Sequence, residues 1–241
     1  MTEIRFDHIA IAAHRIADAP AVLAAALGGM PTGDGGASGA YTWGQWGFAG
    51  GARLEILEPL GHDGFLHRFL AARGPGVHHV TFRVPSLREV CERAVACGYR
   101  IVGYDDSDPE WAEAFLHPKE ALGIVVQFAE SRAGAPARLA WPAPPGLPDP
   151  PQAVTIVGLR TRARSVERAE TQWGRLLQGR RGQAGSALVY RWPDSPMRIA
   201  VEVDADAEEG PIAIEFASAR TVGLPRTPHP ALGTVFRRGT A

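Results

Sequence analysis

Hydrophobic and polar positions alternate with a period of two in Phe6-Asp7-His8-Ile9-Ala10-Ile11-Ala12. Side chains on a strand point to opposite faces in turn, so Ile9 and Ile11 share one face and His8, Ala10 and Ala12 the other. The same pattern returns in Gly76–Val84, where Val80, Phe82 and Val84 oppose His79, Thr81 and Arg83. Two later runs alternate in the same way. In Arg53–Leu57, Leu54 and Ile56 oppose Glu55; in Gly123–Phe128, Ile124, Val126 and Phe128 oppose Gln127. Each run predicts a strand with an apolar core face and one chemically capable side chain on the other. His78 precedes the inward position and is expected to face the packed or outer side, with no chemistry assigned to it.

Placed in order, these runs predict three segments of one design. The first is strand Arg5–Ala12, a helix near Ala17–Leu27, and strands near Ala40–Phe48 and Ala52–Glu58, with a short extra strand near Gly29–Thr32. The second is strand His78–Val84, helix Leu87–Cys97, and strands near Arg100–Tyr104, Glu113–His117 and Gly123–Ala129. Ser86 and Glu89 have the spacing of a capping box, and Gly98 stops the helix. The third is strand Val154–Thr161, helix Ser165–Leu177, and strands near Ala187–Trp192, Met197–Val203 and Pro211–Ala217. The expected class is α+β, built from repeated βαβββ modules. The first two pair into a curved mixed sheet, a cup, and the third is degenerate.

Expected boundaries are 1–134 for the paired modules, 135–152 for a proline-rich linker, 153–220 for the third module and 221–241 for an irregular tail. Seven prolines between Pro136 and Pro151 cannot join a central strand. The glycine-rich run Thr32–Gly39 lacks the Lys-Ser/Thr ending of a phosphate loop and reads as a loop over the site.

Composition narrows the classes. With 45% hydrophobic and 21% charged residues and a formal net charge of -1, the chain gives no support for nucleic-acid or membrane-surface binding. Arg160, Arg162 and Arg164 read as a solvated face and Arg180-Arg181 as part of a glycine-rich turn. No apolar run spans a bilayer and no signal-peptide pattern opens the chain, so a cytoplasmic protein is expected. Cys91 and Cys97, six apart on one helix, read as small buried or half-buried side chains in a reducing compartment.

If the first two modules curl together, each offers one ligand from its first strand and one from its last. The expected metal set is His8, Glu55, His79 and Gln127. Two imidazoles with oxygen donors suit one divalent ion among Zn, Co, Ni, Mn and Fe, with positions left for substrate oxygens. The alternative is a polar cup that binds an organic ligand without metal. His14, His62, His67 and His229 have no partner pattern. Tyr41, Trp43 and Trp46 form a possible aromatic lip. His117 and Lys119 read either as turn chemistry or as cations beside an anionic substrate group. Glu215 occupies the last-strand position of the third module, without imidazoles.

These residues resemble the vicinal oxygen chelate superfamily, and three blocks resemble its methylmalonyl-CoA epimerases. They are Leu54–Gly61, Phe69-Leu70 with Gly76–Val80, and Phe115–Val126. The resemblance covers residues 5 to about 130. It implies that His8, Glu55 and His79 match ligand positions and that a last-strand carboxylate moves the substrate proton. Here that position is Gln127, which cannot accept a proton.

The expected function is that of a glyoxalase-like, metal-dependent lyase or isomerase. Its small substrate offers two adjacent oxygens, as an acyl-CoA or a hemithioacetal does, and Glu55, a metal-bound hydroxide or Glu130 serves as base. His117, Lys119 and Trp43 are the expected substrate contacts, and a homodimer the expected assembly. The alternatives are a non-catalytic small-molecule binder and an iron-dependent extradiol dioxygenase.

Overall fold

A computed structural model describes residues 3–132, 144 and 146–239. In chain order the elements are β1 (Arg5–Ala12), a 3-10 turn (Ile16–Asp18), α1 (Pro20–Leu23), β2 (Met30–Ala37), β3 (Tyr41–Gly47), β4 (Arg53–Pro59) and α2 (Phe65–Arg73). Then come β5 (Gly76–Arg83), α3 (Leu87–Ala96), β6 (Ile101–Asp105), β7 (Trp111–Leu116) and β8 (Val125–Ser131). The last group is β9 (Thr155–Ala163), α4 (Val166–Ala169) running on as π-helical turns (Glu170–Leu176), β10 (Arg180–Ala184), β11 (Ala187–Arg191), β12 (Arg198–Val203), β13 (Gly210–Ala217) and β14 (Phe236–Arg238).

The strands form two mixed sheets. The order is β2-β3-β4-β1-β5-β8-β7-β6 in one and β10-β11-β12-β9-β13-β14 in the other. One rule repeats three times. The fourth strand of a module lies parallel beside its first: β4 by β1, β8 by β5 and β12 by β9. Antiparallel pairs supply the second and third strands of each module, as two-strand turns allow, and β13 and β14 form a further parallel pair. The α+β class and the βαβββ repeat are therefore present.

Three local expectations are corrected. The glycine-rich run is strand β2, not a loop. It pairs with β3, with a register shift between Pro31 and Gly35. Gly36 serves the neighbouring strand, since a Cβ there would lie 2.4 Å from the Trp43 ring. Arg180-Arg181 begins strand β10 rather than sitting in a turn. The tail is not wholly irregular, because Phe236–Arg238 pairs with β13.

The third module also closes earlier than expected. Its last strand is β12, so Glu215 on β13 does not hold the position that Glu55 holds in the first; it is instead in register with Arg237 of β14. The expected helix Ala17–Leu27 is present only as the short turns Ile16–Asp18 and α1, with Pro20 at the start of α1. Helix α2 was not foreseen. Phe65, Leu66, Phe69 and Leu70 are spaced to give one apolar helical face, and that signal was available. The proline-rich stretch 135–152 lies largely outside the described residues. Its described part, Pro144 and 146–152, contains no helix or strand.

By internal contact the chain forms two compact units. One comprises Met1–Asp7, His79–Arg138 and Gly158–Ile212; the other His8–His78, Leu139–Val157 and Ala213–Ala241. In the first, Phe6 stacks on Phe82 with ring centroids 4.9 Å apart, and Trp192 meets both edge-on. Trp173 closes this cluster at 6.2 Å from Phe82. In the second, Ala10, Ala12 and Leu57 pack beneath Leu66 and Leu70 of α2, flanked by Tyr41, Trp43 and Phe69. Among the described residues, no helix is long and apolar enough to cross a membrane.

Candidate metal centre

Helix starts explain two carboxylates that the sequence left open. The first N–H groups of a helix have no partner within it. Glu130, near the end of β8, accepts from the Leu87 N–H at 2.6 Å, and Ser86 accepts from Glu89 N–H at 3.3 Å. Glu58, three residues after Glu55 as Glu130 is three after Gln127, accepts from Ile16 N–H at 2.6 Å. Both lie on the face away from the histidines. Glu130, one of the bases considered, is thus a helix-capping group.

The opposite face carries the candidate ligands. His8, Glu55 and His79 each offer one donor atom, and these atoms lie within 4.8 Å of one another. All three are buried, with 5–7% of their surface exposed. The Nε2 of His8 is 3.6 Å from Oε1 of Glu55. The backbone fixes this. Ala10 is in register with Glu55 on parallel strands, so His8, two residues earlier, shares its face. Buried charge needs pairing, and a buried carboxylate between imidazoles is a donor set that a divalent ion satisfies.

Glu55 has a second partner. Gln45, directly across on β3, donates its amide N–H to Oε2 of Glu55 at 2.8 Å. That leaves Oε1 as the oxygen beside His8. The carbonyl oxygen of Gln45 is buried and has no hydrogen-bond donor in the structure.

Gln127 stands on the same face as Thr81, with which it is in register two residues beyond His79. Its Oε1 accepts from the Thr81 hydroxyl at 2.6 Å, and its amide donates to Oε2 of Glu113 at 2.8 Å. The Trp111 indole donates to that same oxygen at 2.9 Å, and the Arg83 guanidinium lies over the Trp111 ring, 4.2 Å from its centroid. Sequence reasoning missed Glu113. Its signal was a charge inside the alternating run Trp111–Phe115, on the face of Trp111 and Phe115.

The other expected contacts are placed as follows. Trp43 is partly buried, 5.8 Å from Tyr41, whose ring meets Phe65 of α2 edge-on. Trp46 is fully buried, which corrects its place in the aromatic lip. The Nδ1 of His117 accepts from the backbone N–H of Lys119 at 3.2 Å, closing the turn after β7. The Lys119 side chain is exposed. His78 lies against Phe65 and Phe69 with ring centroids 5.6 and 5.0 Å away. Burial there pushes its pKa down to about 4, with the Glu55 charge opposing the shift.

Known proteins match this chain in part. The chain is 33% identical over 89 residues to the uncharacterized protein YqjC of Bacillus subtilis (strain 168), across 35% of this chain and 61% of that relative. It therefore spans less than two thirds of that relative's length. Methylmalonyl-CoA epimerase from Mycobacterium tuberculosis is 25% identical, over 54% of this chain and 88% of that one, with a TM-score of 0.48. A mutant of 4-hydroxymandelate synthase from Streptomyces coelicolor shares the fold more widely. It covers 90% of this chain and 72% of that one, with a TM-score of 0.57 and 12% identity. A family model, described as the glyoxalase/bleomycin resistance protein/dioxygenase superfamily, matches residues 7–115, the span that carries His8, Glu55 and His79. Residues 7–115, a little under half of the chain, are thus similar to the glyoxalase/bleomycin resistance protein/dioxygenase superfamily.

Proposed function

We propose that the chain is a metal-dependent isomerase or lyase that moves a proton on a small substrate with two adjacent oxygens. The observation that carries this is the buried His8/Glu55/His79 cluster. In this reading the first two modules curl around the cluster. Its three side chains hold one divalent ion among Zn, Co, Ni, Mn and Fe, and Gln127 adds an oxygen. Bound there, the ion supplies Lewis acidity that stabilises negative charge developing on a chelated oxygen. The protein's own residues do the rest. Gln45 holds the Glu55 carboxylate by one oxygen, which fixes the direction of the other. The unpartnered carbonyl of Gln45 is an acceptor for a substrate hydroxyl or an ordered water. Trp43 and Tyr41 offer an aromatic wall on the same face of β3 as Gln45. Glu55 is the group of the cluster able to take up a proton from carbon, since neither Gln45 nor Gln127 titrates. Acyl-CoA thioesters and hemithioacetals are the substrate classes indicated by the epimerase-like blocks.

The absence of a titratable group at positions 45 and 127 favours one competitor, a binding protein that holds its ligand without turning it over. One experiment separates the two. Metal content is measured on untagged protein purified without added metal, beside His79→Ala. Near-stoichiometric metal, lost in the variant, is expected. Methylmalonyl-CoA and hemithioacetals are then incubated with the wild type in deuterated water. Exchange of the carbon-bound proton supports the enzyme; metal binding with no exchange supports the binding protein.

A further inference from the structure

Each of the first two modules contains one carboxamide donating to one carboxylate across neighbouring strands, at 2.8 Å in both. The roles are exchanged. In the first, the amide is on β3 (Gln45) and the carboxylate on β4 (Glu55). In the second, the carboxylate is on β7 (Glu113) and the amide on β8 (Gln127). We propose that Glu113 is a positioning residue, which turns the Gln127 side chain so that its carbonyl oxygen, and not its amide nitrogen, is presented to the metal centre. The proposal rests on the metal-centre reading above.

A glutamine amide can be flipped, exchanging a donor for an acceptor at nearly the same place. Thr81 cannot decide the orientation, because a hydroxyl both donates and accepts. A carboxylate only accepts, so Glu113 takes the NH2 end and forces the oxygen to the other side. There the oxygen meets Thr81 at 2.6 Å, on the face that also carries His79. A carbonyl oxygen has two lone pairs; the hydroxyl uses one and the second is left for a cation. An NH2 group in that place would repel one.

Glu113 is itself held. The Trp111 indole donates to the oxygen that receives the Gln127 amide, and Arg83, packed on the Trp111 ring, pairs with Asp7 at 3.6 Å. A carboxylate at both 113 and 127 would place two negative charges at hydrogen-bond distance. The Glu113 side chain therefore explains why an amide is accommodated on β8.

The test is cobalt binding by the full chain, followed through the visible absorption of the ion. Wild type is titrated with Co2+ beside Glu113→Gln, Trp111→Phe, His79→Ala and the E113Q/Q127E double variant. E113Q frees the amide to flip, so Co2+ affinity should fall about 10–100-fold, with a shifted spectrum, as expected for loss of a group that orients a ligand. W111F should weaken binding by a smaller factor. The double variant, which rebuilds the pair with its roles exchanged, should bind at least as tightly as wild type. It also decides the matter if E113Q alone does not fold. Wild-type affinity and spectrum in folded E113Q would overturn the role of Glu113 while leaving the metal centre standing. A folded double variant that does not recover binding would do the same. Wild type that binds cobalt no better than His79→Ala would overturn the metal centre itself.

Discussion

Gln45 and Glu55 face each other across β3 and β4, and the amide of the first holds the carboxylate of the second at 2.8 Å. Both side chains are buried, at 6% exposure each. The bond therefore works in a medium where a lost donor is not replaced by water. Replacing Gln45 with Ala removes the donor from a buried carboxylate. Denaturant melts of the metal-free protein should show a loss of about 1–3 kcal/mol. Metal affinity should fall as well, on the order of 10-fold, because an orienting partner of a ligand is gone. Unchanged stability and unchanged metal affinity in Gln45→Ala would show that Glu55 needs no such support.

His78 gives a stability change with pH. Packed against Phe65 and Phe69, it is neutral in the folded chain until about pH 4, whereas an unfolded histidine takes up its proton near 6.5. Between these values the unfolded chain binds more protons, so stability rises with pH. It is at its full value above about pH 6.5 and declines as the pH falls toward 4. The size of the decline is on the order of 3 kcal/mol. Urea melts at pH 4, 5, 6 and 7 should show a shallower decline in His78→Phe, which keeps an aromatic ring among aromatic neighbours.

The two cysteines should react at different rates. Cys91 faces inward from α3, and burial pushes its pKa up to about 11. Cys97 caps the C-terminal end of the same helix and is only partly buried. Thiolate is the reactive form, so Cys91 should resist iodoacetamide at pH 8 while Cys97 is modified. Mass spectrometry of a time course reads this directly; equal rates would mean that α3 opens readily.

Glu130 should matter for stability and not for the metal. Glu130→Ala leaves the Leu87 N–H without its acceptor, and a loss of about 1–2 kcal/mol is expected in thermal or denaturant melts. Metal content should equal that of wild type. A fall in metal content with stability unchanged would return Glu130 to the site.

How much of this was legible in advance depends on the range of each interaction. Alternation is a property of the local backbone, so the positions of His8, Glu55, His79 and Gln127 on their strands could be read from period two alone. The repeat was legible too; that its first and fourth strands pair, β1 with β4, β5 with β8 and β9 with β12, came from the structure. The helix start at Ser86 was likewise local, three residues long. Of strand β2 only the start, near Gly29–Thr32, was legible, because the glycines beyond it lower strand propensity. What makes it a strand is the hydrogen-bonded edge of β3 and the Trp43 ring that needs the space above Gly36. Nor was the third module's end. Arg198–Val203 and Gly210–Ala217 both flank β9, and which of them closes the module as its parallel fourth strand is a choice of sheet partner that alternation does not make.

The sequence by itself determined which faces its strands bury and which side chains share the opposite face, since the pleat assigns alternate residues to alternate sides whatever lies beyond them. Only the tertiary structure decided the partners: Glu113 with Gln127, Gln45 with Glu55, and Glu130 with the start of α3. Those bonds join residues on different strands, or a strand and a helix start. A hydrogen bond is made where two groups meet in space, and registers between strands are set by the packing of the whole sheet rather than by any one strand's pattern.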